Sequence, residues 1–294
     1  MKAALVTGGA GFIGSHLCER LIAEDWSVRV LDDLSTGSAE HLPGSVDLVV
    51  GSVTDDELVA RLVHGTQVVF HLAAIASVQR SVSDPEGTES VNYGGTQHVV
   101  AAARASNAKV VYSSSSAVYG DAGAEPVHED SPTGPISPYG DQKFRSEALV
   151  LKSGGVVLRY FNVFGSRQSP SSDYSGVVSI FGKRAWAGEP LTIFGDGSAT
   201  RDFVAVQDVI QANLLAVNKE GLYCIGSGKS LSILNLATSI CEITGSTSEI
   251  RFAPARPGDI LHSSCSITKA RDILGFSPQE NFETALLSTL DWLR

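Results

Sequence analysis

Cysteine is scarce. The four present among 294 residues, Cys18, Cys224, Cys241 and Cys265, are widely spaced and form no C-x-x-C pair. That pattern supports neither a zinc site nor a disulfide framework, so no metal is expected, and it fits a reducing cytoplasm. Basic residues are few as well: 22 Lys and Arg stand against 32 Asp and Glu, for a net charge of −10. Nucleic acid and anionic membrane surfaces need clustered cations to displace counterions, so neither is an expected partner. A small dianionic substrate stays compatible only with arginines placed locally. Charged residues make up 18% and apolar residues 43%, which excludes disorder and suits one large or two medium domains. No apolar run is long enough for a membrane span or signal peptide, and Met1 to Val6 leads straight into a glycine loop, so a cytoplasmic location is expected. Repeats and low-complexity tracts are absent.

What is present is a rhythm. Up to Phe161, short Val- and Ile-rich runs alternate with longer helical patterns, as in repeated βαβ units around a parallel sheet. Strands are predicted at Lys2 to Thr7, Val28 to Leu31, Val46 to Val50, Gln67 to His71, Lys109 to Ser113 and Val156 to Phe161. Helices are predicted at Glu86 to Ser106 and at Pro138 to Lys152, where Pro138 suits a first helical turn. Beyond Phe161 the rhythm weakens, Gly, Ser and Pro become frequent, and the chain closes with an amphipathic helix at Phe282 to Leu293. The expected class is α/β: a Rossmann-type doubly wound parallel sheet over 1–161, with a return segment near 203–218, and a smaller α/β substrate domain over 162–294.

The first strand runs into Gly8-Gly9-Ala10-Gly11-Phe12-Ile13-Gly14 and then a helix pattern through Glu24. Gly8 allows a tight turn, Gly11 lets a pyrophosphate approach the backbone, and Gly14 lets helix and strand pack closely, while the helix N-terminus offers amide donors. The second strand ends in Leu31-Asp32-Asp33, about twenty residues on, where a carboxylate can accept from adenosine ribose hydroxyls. A 2′-phosphate beside Asp32 would meet like charge with no arginine close behind, so the expected cofactor is NAD.

Tyr139 and Lys143 are four residues apart in a predicted helix and share one face. A free tyrosine, with a pKa of about 10, is a poor base at neutral pH. A neighbouring ammonium and an oxidised nicotinamide both favour phenolate, lowering the pKa towards the working range. The run Ser113 to Ser116 sits at the carboxyl end of a predicted strand, where open α/β sheets place their ligands, so one of its hydroxyls can bridge a substrate and Tyr139.

These features, with further ordered matches, resemble the extended short-chain dehydrogenase/reductases and, among them, the UDP-hexose 4-epimerases, closest to those acting on UDP-N-acetylhexosamines. The matches cover nearly the whole chain: Thr7 to His16, His71-Leu72-Ala73-Ala74, Asn92 before Gly95-Thr96, and Ser113 to Gly120. They continue through Tyr139 to Lys143, Arg159 to Gly165, Phe194-Gly195-Asp196-Gly197, Arg201-Asp202-Phe203 and Arg256-Pro257-Gly258-Asp259. The resemblance implies transient oxidation at carbon 4 of a UDP-sugar by bound NAD, with Tyr139 as base, Lys143 tuning it and holding the ribose, and Ser115 bridging to the sugar. The serine run leaves that hydroxyl open by one position. Implied cofactor contacts are Gly8, Gly11, Phe12, Ile13, Gly14, Asp32, Asp33, Leu34, Ser35, Thr36 and Gly37, then Ser52, Val53, Leu72, Ala73, Ala74, Asn92 and Phe161. Implied substrate contacts are Asn162, Arg201, Arg256 and Asp259 on the UDP moiety, with Arg80, Val177, Thr192, Phe194 and Ser263. Guanidinium forks also suit pyrophosphate on their own chemistry. The family's usual homodimer would form through the helices at Glu86 to Ser106 and Pro138 to Lys152.

Single positions discriminate among related activities. Nucleotide-sugar 4,6-dehydratases carry an Asp-Glu pair where this chain has Ser116-Ala117, so elimination lacks its acid and base. Uronate 4-epimerases have Arg-Gln-Arg-Pro where this chain has Arg167-Gln168-Ser169-Pro170, leaving a carboxylate without its partner. The position that limits pocket size aligns with Ser263, small enough to admit an N-acetyl group, and Ser77-Val78-Gln79-Arg80-Ser81 resembles the epimerases that prefer N-acetylhexosamines. UDP-GlcNAc/UDP-GalNAc interconversion is therefore expected, with UDP-glucose/UDP-galactose also open. The alternatives are a uronate epimerase and an NADPH-dependent keto-sugar reductase; a non-enzymatic dinucleotide sensor would not need Ser115, Tyr139 and Lys143 together. Two departures stand out. Ser52 occupies the place of the family's adenine-binding Asp, and the separation of Ser115 from Tyr139 is one residue shorter than in many relatives.

Overall fold

Apolar alternation along the first strand decides how the two faces of the sheet are covered. In the computed structural model, which describes residues 2–170, 176–256 and 259–294, β1 (Lys2–Thr7) sends Ala4 and Val6 into one core and Leu5 into another. Adjacent strand residues point to opposite faces, so a strand covered on both sides reads as a continuous apolar run. The pattern repeats through α1 (Phe12–Ala23), β2 (Trp26–Asp32), β3 (Asp47–Val50), α2 (Asp56–Val63) and β4 (Val68–His71). Then come α3 (Val78–Ser83), α4 (Pro85–Glu89), a π-helical turn at Ser90–Gly94 and α5 (Gly95–Ala105), the last three making one continuous rod. β5 (Lys109–Ser115), α6 (Pro138–Lys152) and β6 (Val156–Tyr160) follow. Ser137 caps α6 by accepting from the Gly140 N–H at 3.1 Å, with Pro138 in the first turn.

The remaining chain gives β7 (Asn162–Phe164), α7 (Val177–Ala187), β8 (Leu191–Phe194), β9 (Thr200–Arg201), β10 (Phe203–Ala205), α8 (Val206–Ala216) and β11 (Gly221–Ile225). β12 (Leu231–Ser232), α9 (Ile233–Thr244), β13 (Ile250–Ala253), β14 (His262–Ser263) and α10 (Phe282–Leu293) complete it. Pro257 and Gly258 of the Arg256-to-Asp259 motif lie outside the described residues.

The main sheet has seven strands in the order β11-β6-β5-β4-β1-β2-β3, and every pairing within it is parallel. This is the expected Rossmann-type α/β sheet. The return segment of the sequence reading packs on the first core through Val204, Val209 and Ile210, and the chain then runs on into β11, an additional strand. Leu17 and Leu21 of α1 share that core, while Val59, Val99 and Val150 of α2, α5 and α6 cover the opposite face. Fully burying a Val or Leu contributes roughly 1.5–3 kcal/mol, so these two layers hold the strand ends in place. A third core, with Phe181, Leu191, Ile193, Leu236 and Leu290, lies among α7, β8, α9 and α10. Because β1 leads to β2 on one side and pairs with β4 on the other, a crevice opens at the carboxyl ends of β1 and β4, where open α/β sheets bind ligands. Among the described residues, no helix is long and apolar enough to cross a membrane.

Candidate active site

The glycine loop occupies that crevice. Gly8 adopts φ +70° and donates its N–H to the Leu31 carbonyl at 2.8 Å. A Cβ on Gly14 would lie 2.2 Å from the Gly8 carbonyl oxygen, and one on Gly8 would lie 2.7 Å from the Ala73 nitrogen. The loop, α1 and the segment after β4 thus approach at distances only hydrogen permits. Gly11 precedes α1 without offering a side-chain cap, so the first-turn amides are available to an anion. The residues present therefore fit a dinucleotide pyrophosphate.

Asp32 is buried at the end of β2. One carboxylate oxygen accepts from the Ala10 N–H at 2.9 Å, the other from the Leu34 N–H at 2.8 Å. It ties the glycine loop to the turn after β2, and each oxygen retains a further lone pair for a ribose hydroxyl. Burial raises its pKa, and the two amide hydrogen bonds counteract that. The cleft, about 370 Å³, is lined by Gly8, Gly11, Phe12, Ile13, Gly14, Asp32, Asp33, Ser35, Thr36, Ser52, Val53, Leu72, Ala73, Ala74, Ser115, Tyr139, Lys143 and Phe161 of the expected set. Leu34, Gly37 and Asn92 are not among its lining. Leu34 forms the turn at φ +57°, and Gly37 packs against Ala10, where a Cβ would sit 2.7 Å from that residue's carbonyl carbon. Buried Asn92, in the π-helical turn, accepts from the Ile75 N–H at 2.7 Å and donates to the Ile75 carbonyl at 3.1 Å and to Gln142 at 2.8 Å. It shapes the segment after β4 rather than facing the cleft.

At the other end of the crevice, β5 and α6 bring Ser115, Tyr139 and Lys143 together. The Ser115 hydroxyl stands close enough to the Tyr139 phenol to favour its ionised form and accepts from the Ala117 N–H at 3.2 Å. Lys143 Nζ donates to the Ser113 carbonyl at 2.8 Å and lies 4.8 Å from the Tyr112 ring centre and 5.9 Å from that of Tyr139. Burial dominates both titrations. It pushes Tyr139 up to about 12, against the Ser115 hydrogen bond, and pushes Lys143 down to about 7, against the attraction of Glu147. The expected drop in the tyrosine pKa is thus outweighed by desolvation in the protein alone. Two charges that are separately disfavoured in a dry site favour each other, so phenolate and ammonium are stabilised as a pair.

Apart from Ser115 and Tyr139, the expected substrate residues do not line the cleft. Arg201 in β9 and Ser263 in β14 are register partners, and Arg201 Nη1 donates to the Thr200 carbonyl at 2.8 Å. Burial lowers the Arg201 pKa, while Asp259 raises it. The Arg256 guanidinium stacks over the Phe194 ring at 3.7 Å. Asn162 donates its backbone and side-chain N–H groups to the Asp202 carbonyl, at 3.0 and 3.3 Å. Val177 opens α7, and Thr192 accepts from Arg184 at 3.4 Å. Arg80 is exposed on α3, beside Ser81, whose hydroxyl accepts from the Tyr139 N–H at 3.1 Å.

Two pairings near the cleft went unread in the sequence, although Arg167 and Arg159 each stand in a motif named there. Arg167, at φ +67°, lines the cleft and pairs with Glu19 of α1 at 2.5 Å; nothing in the sequence signalled that pairing. The buried pair Arg159 and Glu147, at 2.7 Å, carried a faint signal, since an arginine inside the apolar run Val156 to Tyr160 needs a partner.

Known proteins bear on this arrangement. The NAD dependent epimerase/dehydratase family matches residues 4–226. The UDP-glucose 4-epimerase of Mycolicibacterium smegmatis is 39% identical over 99% of this chain and 98% of its own length. Among solved structures, a UDP-glucose 4-epimerase from Thermotoga maritima, with UDP-glucose, superposes with a TM-score of 0.95 at 37% identity, covering 99% of this chain and 98% of that one. A UDP-N-acetylglucosamine 4-epimerase from Methanobrevibacter ruminantium, in complex with UDP-N-acetylmuramic acid, does so with a TM-score of 0.94 at 37% identity, covering 99% and 97%. With a glycine loop that fits a pyrophosphate and matches spanning the full fold, the chain belongs to the NAD dependent epimerase/dehydratase family of extended short-chain dehydrogenase/reductases, and NAD is its cofactor.

Proposed function

We propose that this chain is a UDP-sugar 4-epimerase that interconverts UDP-GlcNAc and UDP-GalNAc and also accepts the UDP-glucose/UDP-galactose pair. The observation that carries the reading is the meeting of Ser115, Tyr139 and Lys143 at the inner end of the cofactor cleft. Tyr139 takes the proton of the sugar 4-hydroxyl, Ser115 bridges hydroxyl and phenol, and the Lys143 ammonium compensates the phenolate charge. When bound, NAD supplies reversible hydride acceptance at carbon 4. The oxidised carbon is trigonal and open to reduction on either face, so inversion needs a sugar that turns while its nucleotide stays held. Arg201 and Arg256, with Asp259 and Asn162, supply that hold, and guanidinium groups suit pyrophosphate.

The preference for N-acetylated sugars rests on Ser263, a small side chain next to Arg201 in register. Ser169 lines the cleft where a uronate epimerase would place an arginine, and Ser116-Ala117 supplies no acid or base for elimination. A homodimer through α4, α5 and α6 suits the apolar Phe144 and Leu151 exposed on α6.

An epimerisation assay with the four UDP-sugars and no added cofactor tests the reading. Turnover of all four is expected, with the N-acetylated pair favoured. Conversion of UDP-galactose with UDP-GalNAc untouched rejects the sugar preference, and turnover that requires added NADPH points to a reductase instead. Tyr139→Phe is expected to lose about 10²–10⁴ in rate with its melting temperature maintained; full activity in that variant would end the mechanism.

A further inference from the structure

Beneath the catalytic side chains lies a buried charged cluster that the reaction as described does not use. Glu147 stands one helical turn beyond Lys143 on α6, and both are buried. Its carboxylate takes two hydrogen bonds from Arg159 of β6, Nε at 2.9 Å and Nη2 at 2.7 Å, and a third from the Ser114 hydroxyl at 2.5 Å. Arg159 is itself held, stacked 4.7 Å from the Tyr119 ring centre. An ion pair this deep is weak evidence of stabilisation, because apolar residues of similar volume are often as stable or more so. Something besides stability accounts for its position.

That position is informative. α6 grips two consecutive residues of β5: Lys143 takes the Ser113 carbonyl, and Glu147 takes the Ser114 hydroxyl. The next residue is Ser115, whose hydroxyl meets Tyr139 at the start of the same helix. We propose that Glu147, held by Arg159, is a positioning residue for the reaction: it clamps α6 onto the end of β5 through Ser114 and so fixes Ser115 against Tyr139. An error of 1 Å in such an alignment costs on the order of 10²-fold in rate. The carboxylate also acts through charge. Burial drives Lys143 towards its neutral form and Glu147 opposes this, so loss of the carboxylate lowers the pH at which the ammonium is lost. The other titratable groups facing this stretch are Tyr112 of β5, His71 of β4, Tyr139 of α6, Arg159 and Tyr160 of β6, Tyr119, Cys224 and Glu129; the Glu129 carboxylate accepts from the Cys224 N–H at 2.8 Å, and none of these groups supplies Lys143 with the negative charge of Glu147.

The inference rests on the epimerase reading for its rate measurement and is independent of it for its structural one. Glu147→Gln, and the apolar pair Glu147→Met with Arg159→Met in case the unpaired arginine prevents folding, are compared with the wild type in NAD-loaded protein. Expected for Glu147→Gln are a kcat lowered about tenfold or more with KM within about twofold, an alkaline limb of the pH profile moved to lower pH, and faster amide exchange at residues 113–117. The double variant should fold and show the same loss of kcat. An unchanged kcat and pH profile overturns the proposal, even if exchange quickens; so does unchanged exchange at 113–117. Wild-type protein that exchanges as expected relative to the variants but turns over none of the four UDP-sugars sinks the epimerase reading and leaves the clamp standing.

Discussion

The glycine loop and the Arg201 cluster are held by different means. In the loop, the decisive contacts are backbone to backbone: Gly8 bonds Leu31, Gly11 bonds Gly8, and Gly14 fits only because it lacks a Cβ. The Gly8–Leu31 contact joins the ends of β1 and β2, which already lie side by side in the sheet, and the other two lie within the loop and the helix that follows it. Around Arg201, two-residue strands from distant parts of the chain meet, β9 pairing with β12 and β14, and the side chains rest on carbonyls and a stacked ring. A strand pair of that length has little stability of its own and depends on the core behind it. The contrast leaves the glycine loop intolerant of added side-chain atoms and the Arg201 cluster adjustable, which under the proposed function suits a site that must hold UDP while its sugar turns.

The comparison can be broken most forcefully at Gly14. Gly14→Ala is expected to cost about 3 kcal/mol, since backbone on both sides would have to move, and to abolish co-purifying NAD. Thermal unfolding and cofactor extraction measure both, and an alanine variant with wild-type melting and full NAD content would remove the claim of intolerance. Ser263→Tyr probes the other end. It should leave the fold and the plain hexoses nearly untouched while lowering N-acetylhexosamine turnover about tenfold, the scale of a steric restriction in a pocket. Equal loss on both sugar pairs would show that β14 supports the site as a whole and does not set pocket size.

A smaller effect sharpens the same contrast, by showing that the cost of the chemistry sits in the cleft. Folding holds Lys143 down at about 7, whereas an unfolded lysine titrates near 10.4. Between those values the unfolded chain binds the extra proton, so stability rises with pH from about 7 to about 10, by at most ~1.4 kcal/mol per pH unit. Below pH 7 the burial penalty is present in full. The difference in denaturation midpoint between wild type and Lys143→Met should therefore change above pH 7 in favour of the wild type, and parallel curves would contradict the burial argument.

Much of the first half was legible. The predicted limits of β1 and α6 coincide with the observed ones, and Lys109–Ser115 extends the predicted fifth strand by two residues. The reason is local: an apolar run covered on both faces, ended by Gly or Pro, leaves few alternatives. β11 was missed because Gly221–Ile225 is a single short run beyond the return segment, and only pairing with β6 makes it a strand. Asn92 was expected at the cofactor and instead ties Ile75 to Gln142, a role that depends on where the chain after β4 passes. Glu147 was not singled out in the sequence, since its partner Arg159 approaches from a separate strand.

The amino-acid sequence by itself determined the parallel α/β layering, the pyrophosphate-binding turn, the acidic end of β2 and the Tyr139 to Lys143 spacing, because each follows from steric and hydrogen-bonding rules acting within a few residues. Tertiary structure alone decided which serine hydroxyl meets Tyr139, that burial drives Tyr139 and Lys143 both towards neutrality, and that Arg201 lies beside Ser263. Those outcomes depend on dielectric surroundings and on contacts between segments far apart in the chain, and neither exists until the cores close.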